Sequence, residues 1–210
     1  MIMAAVLAAG TSSRMGKNKL ALPWGKQTVL EATMNMVERS YAFDQRMVIL
    51  GFERDLWYDK WEADLAEDHF KWEIVINPMY RQGQGTSVAK VGEHLVLNFA
   101  YRDFDGVMFF LGDEPLLEEE TVCQLIDVWE EDKEKIVVPV FEGKRGNPRI
   151  FPKWTFKELM KLQGDEGARA LIENNPDRVV FVEVEDRGVI ADLDTEEAYQ
   201  AELAAWQNNR

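Results

Sequence analysis

Short, uninterrupted apolar runs alternate with helix-period segments along almost the whole chain, and that alternation leaves few folds open. Ile2–Ala8, Met47–Leu50, Glu73–Ile76, Gly106–Leu111, Ile136–Phe141 and Val179–Val184 read as strands. Residues 55–67, 87–99 and 118–131 read as helices between them. Thr28-x-x-Glu31 has the spacing of a capping box and heads a further helix, with Val29, Leu30 and Val37 on its apolar side. Asp194-x-x-Glu197 opens a last helix carrying Leu203 and Trp206, with Asp194 as its N-cap. Strands without polar alternation must be covered on both faces. The pattern therefore predicts an α/β fold, a Rossmann-like three-layer sandwich with a mostly parallel sheet and helices on both faces. Ligands of such sheets lie beyond the carboxyl ends of the strands. Three of these ends carry polar or glycine-containing features: the 10–19 loop, Asn77 and Asp113.

The charge balance narrows the partners. Against 24 Lys and Arg stand 38 Asp and Glu, a net charge of −14, which argues against a protein that coats nucleic acid or an anionic membrane. The charge is uneven, because residues 1–30 hold Arg14, Lys17, Lys19 and Lys26 and no acid. A basic start on an acidic chain points to a confined anion site. A length of 210 residues predicts one domain over 1–210. The single cysteine, Cys123, allows no intrachain disulfide and suits a reducing cytoplasm; its helical surroundings give it a structural reading. His69 and His94 lack zinc-ligand spacing. No apolar run approaches the roughly 20 residues that span a bilayer, and the N-terminus has no secretory pattern.

The loop after the first strand runs Leu7-Ala8-Ala9-Gly10-Thr11-Ser12-Ser13-Arg14-Met15-Gly16-Lys17-Asn18-Lys19. Small residues let backbone amides approach phosphate oxygens, Arg14 offers a planar fork, and Lys19 a compact point charge. The spacing is not that of a P-loop: Gly10 to Gly16 is too long, and Asn18 stands where a hydroxyl residue is needed. Composition alone favours a solvated basic turn.

The order of residues is more specific. Leu-Ala-Ala-Gly-x-Ser-x-Arg-Met-Gly-x-x-Lys-Leu, followed by Pro23 and Thr28-x-Leu30-Glu31, resembles the MobA-like nucleotidyltransferases, and among them the molybdenum cofactor cytidylyltransferases. The resemblance implies a fold like that of the nucleotide-diphospho-sugar transferases. It implies that Leu7, Ala8, Ala9 and Gly10 meet the nucleotide, the last three at base and ribose. Arg14, Gly16 and Lys19 then meet the triphosphate. Ala8-Ala9-Gly10 is similar to the cytidylyl branch and favours CTP over GTP.

Four further segments continue the likeness. Asn77-Pro78 through Gly83-x-Gly85-Thr86-Ser87 resembles the family's nucleotide-side element, which implies nucleotide contacts from Asn77 and Ser87; alone it is an ordinary Gly-rich turn before a helix. In Gly112-Asp113-Glu114-Pro115, Asp113 is either a turn cap or, as the resemblance implies, a ligand of Mg²⁺. Glu114 stands where the family pattern has Gln. Gly146-Asn147-Pro148-Arg149 is similar to the segment on the pterin side, with Asn147 where His is usual, and otherwise reads as a turn into an edge strand. Six cations between Lys135 and Lys157 face one acid, Glu142, which suits a second anion or a solvated face. Asp165 and Arg169, in Gly164-Asp165-Glu166-Gly167-Ala168-Arg169, either orient the pterin or fix a helix start. Asp192, two residues before Asp194, is a candidate second metal ligand.

The resemblance implies transfer of CMP from CTP to the terminal phosphate of molybdopterin, with release of pyrophosphate, in the maturation of a molybdenum hydroxylase. Arg14, Lys19 and Asp113 would be catalytic, with Mg²⁺ as cofactor. Asn147 keeps open a sugar- or polyol-phosphate acceptor. An accessory protein that delivers finished cofactor to the hydroxylase apoenzyme is a reading of another class.

Overall fold

In the computed structural model, which describes residues 1–11, 16–40, 42–67, 69–165 and 167–208, strand β1 (Ile2–Ala8) is paired in parallel on both sides. It is followed by β2 (Pro23–Trp24), β3 (Gln27–Thr28), β4 (Gln45–Leu50), β5 (Glu73–Ile76), β6 (Gly106–Leu111), β7 (Ile136–Phe141), β8 (Lys144–Arg145), β9 (Arg149–Pro152) and β10 (Val179–Glu183). The helices are α1 (Val29–Arg39), α2 (Arg54–Lys60), α3 (Glu62–Ala66), α4 (Gln84–Leu97), α5 (Glu119–Glu131), α6 (Phe156–Leu159), α7 (Arg169–Asn174) and α8 (Glu196–Asn208). The main sheet runs β5-β4-β1-β6-β9-β7-β10, with β8 on β7; β2 and β3 form a separate ribbon. Only β8 and β9 pair antiparallel within the main sheet. The chain builds outward from β1 through β4 and β5, then crosses back to β6. The strand order therefore reverses between β1 and β6, which is where an open α/β sheet forms its ligand crevice.

The three layers follow from side-chain alternation along β1. Ile2, Ala4, Val6 and Ala8 pack with Leu30, Met34 and Val37 of α1, Trp57 of α2, and Leu125 and Trp129 of α5. Met3 and Ala5 point the other way, into a core with Val88, Val91 and Leu95 of α4, Phe156 and Leu159 of α6 and Ile172 of α7. The expected mostly parallel sheet with helices on both faces is what forms. At the head of α1 the Glu31 N–H donates to Thr28 Oγ1 at 3.3 Å, and the Thr28 N–H donates to Glu31 Oε2 at 2.8 Å, closing the capping box.

Three elements differ from the sequence reading. The single helix expected over 55–67 breaks at Trp61, whose buried ring packs between Trp57 and Phe70 with centroids 5.4 and 4.8 Å away. The segment after Gly146 does not form an edge strand; β9 inserts between β6 and β7, with Ile150 and Phe151 buried. Because β9 runs antiparallel, its beginning lies at the carboxyl ends of β6 and β7. Asp194 does not cap α8. Thr195 Oγ1 accepts from the Ala198 N–H at 3.1 Å instead, which frees Asp194 for another partner.

The last helix closes a small third core. Trp24, Val29, Leu193 and Tyr199 pack together with Trp206, and the Tyr199 hydroxyl donates to the Pro23 carbonyl at 2.6 Å. Lys17 pairs with Glu196 at 2.6 Å, tying the start of α8 to the loop after β1. Among the described residues, no helix is long and apolar enough to cross a membrane.

Candidate active site

A cavity of about 490 Å³ opens at the β1/β6 switch point. Leu7 and Gly10 reach it from β1 and the following loop, Leu111, Asp113 and Glu114 from the end of β6, and Asp192 and Asp194 from the segment before α8. Lys144, Arg145 and Asn147 form the wall supplied by β8 and the approach to β9.

Lys19 is presented by a single 3₁₀ turn, Lys19–Ala21, whose cap is Asn18: its Oδ1 accepts from the Leu20 N–H at 3.1 Å, and its Nδ2 donates to Glu53 at 3.1 Å. The Lys19 ammonium contacts Asp113 Oδ2 and Asp194 Oδ1 together. The three side chains keep only 16%, 18% and 22% of their surface exposed. Burial pulls the ammonium's pKa down, but the charges and hydrogen bonds of Asp113 and Asp194 outweigh it, so the lysine is held above its ordinary value. Asp192 lines the same cavity and its Oδ1 accepts from the Asp194 N–H at 2.7 Å, fixing the backbone that carries Asp194.

Glu114 turns inward and is 3% exposed. Its Oε2 accepts from the Leu111 N–H at 3.1 Å, and the Asn147 side chain and the Arg149 guanidinium both favour its ionised form. Burial, with the Asp113 charge adding to it, pushes the Glu114 carboxyl up to about 8. Arg149 is pulled down by burial against the stabilising charge of Glu114, and Arg145 and Arg169 push the same way as burial. Its Nε donates to the Gly146 carbonyl at 2.8 Å.

The remaining expected site residues fall in several places. Ala8 and Ala9 put their methyl groups into the two cores, so they can meet a ligand only through backbone atoms. Gly16 is exposed, with φ +65°. Arg14 lies outside the described residues. Asn77 is fully buried at the end of β5; its Nδ2 donates to Thr86 Oγ1 and Ser87 Oγ, both at 2.9 Å, and its Oδ1 accepts from the Met79 N–H. Asn77 and Ser87 thus fasten the start of α4, and Gln84 from that start lines the cavity. Pro148 is buried behind Asn147. Asp165 and Arg169 do not line the 490 Å³ cavity. Arg169 borders a neighbouring cavity of about 690 Å³ with Lys144, Arg145 and Arg149, and pairs with Glu173 at 2.7 Å.

The sequence reading missed Asp194, Gln84 and Arg149 as site residues. Spacing gave no sign of Gln84 or Arg149, whereas Asp194 was visible as one of two alternate acids and was assigned the cap that Thr195 supplies.

The arrangement suits an anionic ligand with a divalent cation. Asp113 and Asp194 present hard oxygens that already converge on one cation, and the wall opposite is basic. Among the described residues, no three His, Cys, Asp or Glu side chains form a complete metal cluster. Two carboxylates could hold a divalent ion only if phosphate oxygens and water complete its shell.

Comparison with known proteins agrees with this geometry. The pattern of the MobA-like NTP transferase domain family matches residues 4–179. The purine catabolism protein PucB of Bacillus subtilis (strain 168) is 28% identical over 205 residues, 92% of this chain and 91% of that protein. The molybdenum cofactor cytidylyltransferase of Escherichia coli (strain K12) is 26% identical over 199 residues, 90% of this chain and 89% of that one. Among solved structures, Rv0371c from Mycobacterium tuberculosis H37Rv superposes with a TM-score of 0.76 at 30% identity, covering 97% of this chain and 98% of that one. The same protein is also known as a complex with manganese, with a TM-score of 0.72.

Proposed function

Since this chain belongs to the MobA-like NTP transferase family and is a nucleotidyltransferase, we propose that it transfers CMP from CTP to the terminal phosphate of a molybdopterin-type cofactor, releasing pyrophosphate. The observation that carries the reading is the Lys19–Asp113–Asp194 cluster at the floor of the β1/β6 crevice, facing Lys144 and Arg145. A cavity with cations on two sides and carboxylates between them suits two phosphate-bearing substrates brought together. The likeness to the molybdenum cofactor cytidylyltransferase of Escherichia coli favours CTP and molybdopterin.

In this reaction an acceptor phosphate oxygen forms a bond to the α-phosphorus of CTP while the bond from that phosphorus to the β-phosphate oxygen breaks. The acceptor is already anionic, so no general base is required, and positioning and charge neutralisation carry the rate. Asp113 and Asp194, with Asp192 beside them, would hold Mg²⁺, which supplies neutralisation of phosphate charge at the reacting centre. Gly10 gives the base and ribose, and Gly16 the triphosphate, close backbone approach. Lys19, and Arg14 from the same loop, stabilise the charge gathering on pyrophosphate. Asn77 and Ser87 serve the nucleotide by holding the start of α4, from which Gln84 faces the cavity. Asn147, set by Pro148 behind it and Glu114 beside it, faces the acceptor. Arg169, beside Lys144 and Arg145 in the neighbouring cavity, and Asp165 next to it would meet the outer end of the acceptor.

A second reading rests on the likeness to PucB, named as a purine catabolism protein. On that reading the chain also hands finished cofactor to a molybdenum hydroxylase. Pyrophosphate release with CTP, Mg²⁺ and molybdopterin supports the transfer; capture of the hydroxylase by cofactor-loaded protein supports the accessory role, and its absence contradicts that role.

A further inference from the structure

Lys19 stands where a divalent ion would have to enter. Its ammonium touches Asp113 Oδ2 and Asp194 Oδ1 at once, so the oxygens best placed to hold a metal are already spent on an internal cation. The backbone that carries Asp194 is held in place, because Asp192 accepts from its N–H and the Lys17–Glu196 pair holds the following turn to the same loop. A metal arriving alone must displace a charge held by both carboxylates, or settle beside it against repulsion that a partly buried site screens poorly. A polyphosphate changes this balance. It offers Lys19 several anionic oxygens, and the flexible four-carbon stem lets the ammonium move to them.

We infer that Lys19 is a built-in counter-cation: in the ligand-free protein it occupies the metal position between Asp113 and Asp194, and it gives that position up only to a polyphosphate, so metal enters with the nucleotide rather than before it. This rests on the nucleotidyltransferase reading of the same cavity. Lys19 therefore has two successive partners, the carboxylates first and the phosphates second. The exchange keeps the carboxylates compensated at every stage and makes productive metal binding conditional on substrate.

The test is Mn²⁺ binding, followed by electron paramagnetic resonance of the free ion, on full-length protein without nucleotide. Lys19→Met removes the ammonium and nearly keeps its length. It is expected to bind Mn²⁺ about tenfold or more tighter than the unmodified protein. Adding Asp113→Asn to that variant should cancel the gain and tie it to this site. Lys19→Gln serves as a second neutral variant if circular dichroism shows that the methionine variant does not fold. Equal or weaker Mn²⁺ binding by the neutral variants, while the unmodified protein binds Mn²⁺ with a non-hydrolysable CTP analogue, overturns the counter-cation role alone. No Mn²⁺ binding by any form, with or without the analogue, overturns it together with the metal assignment.

Discussion

Glu114, from the end of β6, and Asn147, from the approach to β9, line the same cavity, and the Asn147 side chain favours the ionised form of the buried Glu114 carboxyl. At both positions the sequence departs from the family pattern it resembles. They line one cavity and act on each other, so the two departures form one local unit.

The pair gives a stability prediction with a definite sign. Burial raises the Glu114 carboxyl from 4.5 to about 8, so between those values the folded protein holds a proton that the unfolded chain has lost. Stability present below the lower value is therefore lost as pH rises toward the upper one, by at most about 5 kcal/mol. Urea denaturation of metal-free protein from pH 5 to pH 9 should show this fall. Glu114→Gln should match the unmodified protein near pH 5 and exceed it above pH 8. A variant whose pH profile keeps the same slope contradicts the assignment.

Asp113→Ala should retain the fold and lose pyrophosphate release by about a hundredfold or more, the scale expected when charge stabilisation at a phosphoryl centre is removed. The measurement is turnover at saturating CTP beside a thermal melt. Near-normal turnover removes Asp113 from the metal centre.

The two acids before α8 should separate cleanly. Asp194 contacts the Lys19 ammonium, whereas Asp192 is exposed and serves the Asp194 backbone. Asp194→Asn should cost at least about ten times more turnover than Asp192→Asn, since only the former removes a charge from the cation position. The reverse order makes Asp192 the ligand and Asp194 its support.

Much of the architecture is legible in the sequence because it depends on local pattern. The strand runs are apolar without alternation, and the Thr28/Glu31 capping box needs only four residues to be recognised. What the sequence hides is decided by distant partners. The insertion of β9 depends on a gap between β6 and β7 that no local signal announces. Asp194 looks like a cap because Asp caps helices well, but Thr195, one residue on, fits the observed start of α8. The motif leaves open which way Glu114 points, because its burial beside Leu111, Asn147 and Arg149 is decided by segments distant in sequence. The ordered motif of the first loop brings Lys19 into view in sequence, whereas its two carboxylate partners come from β6 and from the approach to α8.

Gly146 tests the wall that carries Asn147. A Cβ there would lie 2.3 Å from the Val189 carbonyl oxygen, and the Asn147 N–H donates to that same oxygen at 2.9 Å. Gly146→Ala must push the two segments apart. It should cost about 1–3 kcal/mol, the range for forced overpacking, and lower turnover as Asn147 shifts. Differential scanning calorimetry reads the first effect; an unchanged melting temperature means that the wall yields without strain.

The central claim is that the crevice between β1 and β6 joins CTP to a phosphorylated pterin cofactor. It is tested most directly by incubating the protein with Mg²⁺, each nucleoside triphosphate in turn, and molybdopterin or a sugar phosphate, and measuring pyrophosphate. The account predicts release with CTP and molybdopterin, and little with the other pairs. Release only with a sugar phosphate, or with no pair at all, contradicts it.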